Sequence, residues 1–108
     1  PVYQGAGLEL GRVVIPFRFQ LARVDYDLLV SGSSGTVTAV KALVGATVVT
    51  ELVNPAAGAG QKTGSLQVTA PLNDYAAGSV VSVVATVAAN SNIDRAAITL
   101  TVVPVSPV

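Results

Sequence analysis

The stretch ARVDYDLLV at residues 22–30 alternates apolar side chains with charged ones. The charged positions are Arg23, Asp25 and Asp27. Successive side chains of a β-strand point to opposite faces, so this alternation predicts a strand with one buried face and one solvent-exposed face. The face predicted to be buried is formed by Ala22, Val24, Tyr26, Leu28 and Val30.

Similar alternation recurs along the chain at intervals of about ten residues, separated by Gly-, Pro-, Asn- and Ser-containing turn signals. The density of Val and Thr favours strands over helices. The pattern therefore predicts an all-β fold, an antiparallel β-sandwich (Ig-like or jelly-roll-like) of seven or eight strands with no substantial helix. A closed or partly closed barrel is the alternative. Further strands are predicted at 36–44, 47–53, 65–70, 79–89 and 96–103, and one bent or divided strand at 8–19.

The chain of 108 residues predicts one domain, large enough to bury a core without disulfides. Residues 1–7 are expected to form an extended N-terminal arm, residues 8–103 the sandwich, and residues 104–108 an extended tail. The arm has no basic region followed by an apolar run, so no signal peptide is predicted. The longest apolar run, residues 80–89, is too short to span a membrane.

The composition argues against catalysis, because the sequence contains no His, Cys, Met or Trp. Without His there is no ordinary base to activate a Ser or Thr nucleophile, so we predict a non-enzyme without a cofactor. Six basic and six acidic residues cancel, and Arg12, Arg18 and Arg23 lie near acidic residues. Nucleic-acid binding is therefore not expected, since it would need a basic patch.

Two glycine-containing segments resemble nucleotide-binding motifs but fail at defined positions. The segment Gly60-Gln61-Lys62-Thr63 has Gln61 where a phosphate-binding loop has Gly, and a strand pattern follows it where a helix is needed. We interpret it as a flexible loop with a solvated Lys62, within a longer Gly/Ala loop at 56–64. Gly5, Gly7 and Gly11 have no preceding strand and lack the dinucleotide spacing.

The alternating Asn90, Asn92 and Asp94 resemble the opening of a calcium loop. An EF-hand would then need Gly and Glu where this chain has Arg95 and Thr101. Asn and Asp also form turns by bonding their own backbone, so the favoured interpretation of residues 90–94 is a turn. An irregular Ca²⁺ site completed by another loop stays open as an alternative, and no metal ligand is assigned.

The carboxylates Asp25 and Asp27 share one strand face, an arrangement that can serve glycoside hydrolysis. Arg23 on the same face, with Arg18 across from it, favours a solvated ion-pair ladder instead. No catalytic residue is therefore assigned.

Four residues in loop-like or terminal segments are the candidate partner contacts. They are Tyr3, Tyr75, Pro104 and Val105. Tyr26 lies on the apolar face of its strand and is expected in the core.

Three stretches carry a resemblance that covers residues 28–103. They are the hairpin Thr38–Val49, the loop Ala59–Gly64, and Ala77–Val83 followed by Ala97–Val102. In these stretches the chain resembles small all-β virion proteins of tailed bacteriophages, namely capsid decoration (cement) and fibre-associated β-sandwich domains. The resemblance implies a homo-oligomer without cofactor, made in the host cytoplasm and located in the virion. It implies binding to the major capsid protein or other virion subunits, and it supplies no catalytic motif.

Two alternatives stay open beside a capsid-binding role. One is a carbohydrate-binding or adhesive β-sandwich of a fibre or surface protein, with a glycan as ligand and tyrosines as its platform. The other is an accessory Ig-like domain of a larger surface protein. A shared fold does not choose among these functions.

Overall fold

The computed structural model describes residues 3–4, 8–56, 58–69 and 72–105 of the chain. These residues contain eight strands and no helix, which confirms the predicted all-β class. The described residues accordingly include no helix that is long and apolar enough to cross a membrane. The strands are β1 (Tyr3–Gln4), β2 (Leu8–Val14), β3 (Phe19–Ser31), β4 (Val37–Val44), β5 (Thr47–Ala56), β6 (Gly60–Gln67), β7 (Val80–Val87) and β8 (Asn92–Pro104).

The strands form two separate antiparallel sheets, as expected for a sandwich rather than a barrel. The first sheet has the order β1-β8-β3-β6, and the second has the order β2-β7-β4-β5. Neighbours in a sheet are mostly distant in sequence, so the chain repeatedly crosses between the two layers. Strands β6 and β5 therefore lie on one lateral side of the sandwich, and β8 and β2 lie on the other.

Strand β3 lies inside the first sheet and pairs with β6 on one edge and β8 on the other. From Val24 onward its alternation is as predicted, because Val24 and Leu28 are fully buried while Asp27 is exposed. The prediction is wrong for Ala22, which is only partly buried at a bulge between Leu21 and Arg23, and Leu21 is buried instead. The strand is longer than the predicted stretch 22–30 because Phe19 at its start is also fully buried. Phe19, Gln20 and Leu21 pair with Pro104, Val103 and Val102 of β8, and this pairing extends the strand beyond the segment with clean alternation.

The hairpin of β4 and β5 is the most local feature of the second sheet. Gly45 and Ala46 connect the strands, as the sequence predicted, and Gly45 has a φ of 62°. A positive φ at the first central residue of a two-residue turn matches the twist of antiparallel strands, and Gly adopts it without steric cost.

The predicted loop over residues 56–64 is wrong for most of its length. Strand β5 continues to Ala56, and β6 already begins at Gly60. The sequence of β6 does not show apolar–polar alternation, because its inward positions are Gly60, Lys62 and Gly64 before the first apolar residue, Leu66. The backbone hydrogen bonds of β6 are made with β3, although its side-chain pattern does not predict a strand.

The predicted turn at residues 90–94 is shorter than expected. Asn90 occupies the left-handed region with φ of 58°, as Asn in a turn can, but β8 already begins at Asn92. Asp94 is an extra residue in β8, since Arg95 pairs with Leu29 and Ile93 pairs with Val30. This bulge separates the start of β8 from its long remainder.

The expected arm and tail both contribute to the first sheet. Tyr3 and Gln4 form β1 and pair with Ile93 and Asn92 of β8. Pro104 is the last residue of β8, and the Val105 N–H donates to the Arg18 carbonyl at 2.9 Å. The rest of the expected arm and tail, residues 1–2, 5–7 and 106–108, lies outside the described residues.

The core between the sheets is built mainly from small branched side chains, as the composition suggested. Phe19 is its largest fully buried member, and its ring lies 5.5 Å from that of Tyr75. The other residues that are at most 2% exposed are Leu21, Val24, Leu28, Val30, Val37, Val40, Ala42, Leu66, Val81, Val83, Ala85 and Ile93. Burying a Val or Leu stabilises the fold by about 1.5–3 kcal/mol, so these residues are the main source of stability.

Candidate interaction surface

The two lateral sides of the sandwich differ in how the layers meet. On the side of β5 and β6, which we call the bridged side, the Thr50 hydroxyl donates to the Gln67 carbonyl at 3.0 Å. Leu66 of β6 is buried there, and Leu52 of β5 packs against the core. This hydrogen bond and these contacts connect the two sheets directly.

On the side of β2 and β8, which we call the open side, a cleft of about 260 Å³ separates the sheets. Its lining side chains are mostly apolar. Arg12 is the only charged side chain among the residues that line it. The apolar lining is formed by Leu10, Val13, Val81, Val83, Ala96, Ile98 and Leu100.

Strand β8 forms the edge of the first sheet over most of its length on this open side. Strand β1 pairs only with Asn92 and Ile93, so in the described chain residues 94–104 have β3 as a neighbour on one edge and nothing on the other. Unpaired backbone N–H and C=O groups along a sheet edge are a template for another strand. We call residues 95–103 the β8 edge strip.

Within residues 96–103 the β8 edge strip has none of the features that usually prevent pairing between sheet edges; in β8 they occur only at its ends, as the bulge at Asp94 and as Pro104. Between Arg95 and Pro104 it contains no charged residue, no Gly and no Pro. Its inward residues Ile98 and Leu100 are only partly buried, and its outward residue Val103 is 45% exposed. Edge strands normally carry Lys, Pro, a bulge or an inward charge that blocks a second strand.

The other edges of the sandwich have such features. Strand β2 contains a bulge at Leu10 and an ion pair in which Arg12 Nε lies 2.6 Å from Glu9 Oε1. Strand β5 contains Pro55, and β6 carries Lys62 on its inward side. In β8 the corresponding features are confined to the two ends, which leaves residues 96–103 uncharged and without a bulge of their own.

The outer face of the first sheet brings together the polar residues predicted from the sequence. Asp25 accepts hydrogen bonds from Ser65 Oγ at 2.5 Å and from Arg23 Nε at 3.0 Å. These two hydrogen bonds, first that from Ser65, lower the pKa of Asp25 below its ordinary value. Asp25 is thus stabilised as a carboxylate, whereas a general acid would need a raised pKa.

Asp27 is held by a different partner on the same face. Gln61 Nε2 lies 3.0 Å from each of its carboxylate oxygens. A shallow depression of about 290 Å³ lies beside this pair and is also lined by Arg95. The predicted ion-pair ladder is correct for Arg23 and wrong for Arg18, whose Nη2 pairs with Asp74 Oδ2 at 2.8 Å. Gln20 donates to the other Asp74 oxygen at 2.7 Å, and this fixes the turn beside β3.

The four predicted contact residues lie at different places in the fold. Tyr75 exchanges two backbone hydrogen bonds with Phe19, of 2.7 and 3.1 Å, and its partly buried ring packs on the Phe19 ring. It also lines a depression of about 470 Å³ at one end of the bridged side. Tyr3 lies in β1, and Pro104 and Val105 lie at the opposite end of β8. The structure therefore does not assemble these four residues into one site.

The remaining motifs have structural roles in the described chain. Gly60, Gln61, Lys62 and Thr63 form the first half of β6, so the interpretation as a flexible loop is wrong. Asp94 accepts a hydrogen bond from Ser31 Oγ at 3.0 Å. Among the described residues no group of three or more acidic side chains could hold a metal ion.

Tyr26 is in the core, as expected, and burial raises the pKa of its phenol. Its ring covers Gly64 of the neighbouring strand, where a Cβ would collide with the Tyr26 hydroxyl. The contact between Tyr26 and Gly64 explains why a glycine lies inside this strand, because the aromatic ring fills the space that a side chain would otherwise occupy.

The open side was missed by sequence reasoning, although a signal for it is present. The run from Ala96 to Val103 has no charged residue, which is unusual for a strand at a sheet edge. The sequence does not show which strands lie at sheet edges. The absence of charge in this run therefore predicts an exposed edge only once the sheet order is known.

The fold and this surface define an antiparallel β-sandwich with a long uncharged edge beside a cleft between its sheets. Comparisons with protein-family models, with curated proteins and with solved structures found no match to the chain.

Proposed function

We propose that this chain is a non-catalytic structural protein of a tailed-bacteriophage virion that binds and stabilises the capsid shell. In this role it is a decoration or cement protein, made in the host cytoplasm and located in the virion. Its partners are the major capsid protein or other virion subunits. The observation that carries the proposal is the cleft of the open side, whose lining side chains are mostly apolar. Its other ground is the sequence resemblance to such virion proteins in Thr38–Val49, Ala59–Gly64, and Ala77–Val83 with Ala97–Val102.

A protein that reinforces a shell needs a scaffold that keeps its shape and a surface suited to neighbouring subunits. The first property comes from the close-packed aliphatic core. The second fits the open side, because an exposed apolar patch on a soluble protein commonly marks a contact with another macromolecule. Polar side chains on the outer face serve one another as hydrogen-bond partners, as Asp25 and Ser65 do.

Co-sedimentation with capsid shells tests this proposal. Shells assembled from the major capsid protein of the same genome would be incubated with the purified chain, pelleted and then heated. We expect saturable binding and a higher shell melting temperature. Shells that neither bind the chain nor gain stability would contradict the proposal.

Two matched variants locate the binding surface. Val13→Asp introduces a charge into the cleft wall on β2, and Val53→Asp introduces the same charge on β5 of the bridged side, where Val53 is 63% exposed. Desolvating a carboxylate is costly, so Val13→Asp should weaken shell binding while Val53→Asp leaves it unchanged. Equal binding by both variants would remove the open side from the contact.

A second candidate function, binding of a glycan by a fibre or surface protein, is favoured by the depression next to Tyr75. Its lining combines an aromatic ring with hydrogen-bonding side chains, including Asn73, Thr47 and Thr69. Asn73→Ala removes an exposed amide without disturbing the contact of Tyr75 with Phe19. A glycan array should then show a saturable ligand that is lost in Asn73→Ala and kept in Thr63→Ala on distant β6. An array without any ligand would exclude this candidate.

A further inference from the structure

The β8 edge strip lies on the open side without a partner in the described chain, so the question is what covers it. Covering residues 95–103 requires an extended segment of nine residues. The stretches of residues 1–108 outside the described residues are at most three residues long. None of these stretches is long enough to form the missing strand.

We propose that a second copy of this chain covers the strip, with the two β8 strands pairing antiparallel about a two-fold axis at Thr99. The free edge of β8 begins after Ile93, where pairing with β1 stops, and ends at Pro104. Thr99 is the midpoint of residues 94–104, so pairing about Thr99 gives the longest overlap. The first sheets of the two copies become one continuous sheet.

This register places compatible side chains opposite each other. On the inward face, Ile98 lies opposite Leu100 of the second copy, and Ala96 lies opposite Val102. On the outward face, Thr99 meets its own symmetry mate, a Thr–Thr pair of the kind that stabilises antiparallel sheets. The Arg95 side chains lie at opposite ends of the strip, so no like charges meet.

The size of the contact is compatible with a dimer that dissociates on dilution. Nine residues at strand rise give a strip about 30 Å long. The shortest dimension of the protein is 20 Å. Together they set an upper limit of about 600 Å² on each copy and about 1,200 Å² in total, at the lower end of specific interfaces. A contact of at most this size is typical of weak, transient association, so the dimer should dissociate on dilution.

Charge-swap variants at the predicted cross-strand partners test both the edge and the register. Ala97 of one copy lies opposite Thr101 of the other, and both are exposed. The variants Ala97→Lys/Thr101→Lys and Ala97→Glu/Thr101→Glu each place like charges opposite one another twice in the dimer. Each variant alone should dissociate about tenfold more readily, and an equal mixture of the two should recover at least wild-type affinity. Sedimentation velocity over a concentration series measures this.

The control variant is Thr63→Lys/Gln67→Lys, which adds the same charges at the same spacing to β6 at the other edge of the first sheet. It should dimerise like wild type. The proposal is overturned if the wild type stays monomeric, if the charged β8 variants keep the wild-type constant, if the mixture does not recover, or if the control weakens equally.

Hydrogen exchange on the unmodified protein gives a second readout. Amides within residues 95–103 that point away from β3 should gain protection as the concentration rises through the dissociation constant, while those of β6 should not change. Protection that is independent of concentration contradicts the dimer. Both proposals use the open side: in the free protein the second copy occupies the β8 edge strip, and on a shell a capsid subunit takes its place. A monomer that binds shells refutes only the dimer, and a dimer that ignores shells refutes only the proposed function.

Discussion

The bridged side and the open side of the sandwich flank the same central strand. Val24 of β3 pairs with Leu66 of β6 on the bridged side and with Leu100 of β8 on the open side. Leu66 is 2% exposed, whereas Leu100 is only partly buried and lines the cleft. These two leucines pair with the same residue of β3 but differ in burial. Side chains are therefore packed more completely on the bridged side than on the open side.

The largest expected effect comes from shortening these two leucines. Leu66→Ala removes a fully packed side chain and should lower the free energy of unfolding by about 2–5 kcal/mol. Leu100→Ala borders a cleft and should cost about half as much or less, because fewer contacts are lost. Urea denaturation measures both. Equal losses would show that the open side is packed as tightly as the bridged side.

Two glycines give the next contrast. A Cβ at Gly64 would collide with the Tyr26 hydroxyl, so Gly64→Ala should cost about 1–3 kcal/mol by overpacking. A Cβ at Gly11 would meet only Ile98 Cγ1 at 3.9 Å, an ordinary contact. Gly11→Ala should therefore be neutral or stabilising by about 0.4–1 kcal/mol, through the unfolded chain. The melting temperature should fall for Gly64→Ala and should stay the same or rise for Gly11→Ala.

The hydrogen bond that links the two sheets on the bridged side has a smaller effect. Thr50→Val keeps the shape of the side chain and removes the donor to the Gln67 carbonyl, so it should cost about 0.5–1.5 kcal/mol. Thr63→Val on β6, an exposed position, is the matched control and should change stability little. If Thr63→Val cost as much stability as Thr50→Val, the hydrogen bond would not be what stabilises the bridged side.

The smallest effect is electrostatic. The folded-state pKa of Asp25 is lowered, so its contribution to stability is complete above the ordinary value of 3.8 and is lost as the pH falls through the lower folded-state pKa. Asp25→Asn should therefore reduce the loss of unfolding free energy in acid. Near neutral pH the dependence of the unfolding free energy on pH should stay the same. Denaturation curves between neutral and strongly acidic pH test this, and an unchanged acid slope would contradict it.

Sequence reasoning predicted the fold class and most strands because alternation survives wherever one face is buried. It failed at β6, where Gly60, Lys62 and Gly64 replace the apolar residues and the strand is specified by its partner β3. It also placed Arg18 beside the wrong carboxylate, because Asp74 lies far away in sequence. The open side could not be predicted at all, since it depends on sheet order rather than on local pattern.

The pairing of β3 with β8 also constrains how the chain folds. Residues 19–31 of β3 acquire this neighbour only when residues 92–104 are available, so the contact spans most of the sequence. Such non-local pairing is slow, because the loop must close before any contact is gained. During synthesis on the ribosome the hairpin of β4 and β5 is complete long before β8 emerges. The nascent chain therefore holds an unpaired edge of β3 until β8 emerges and pairs with it.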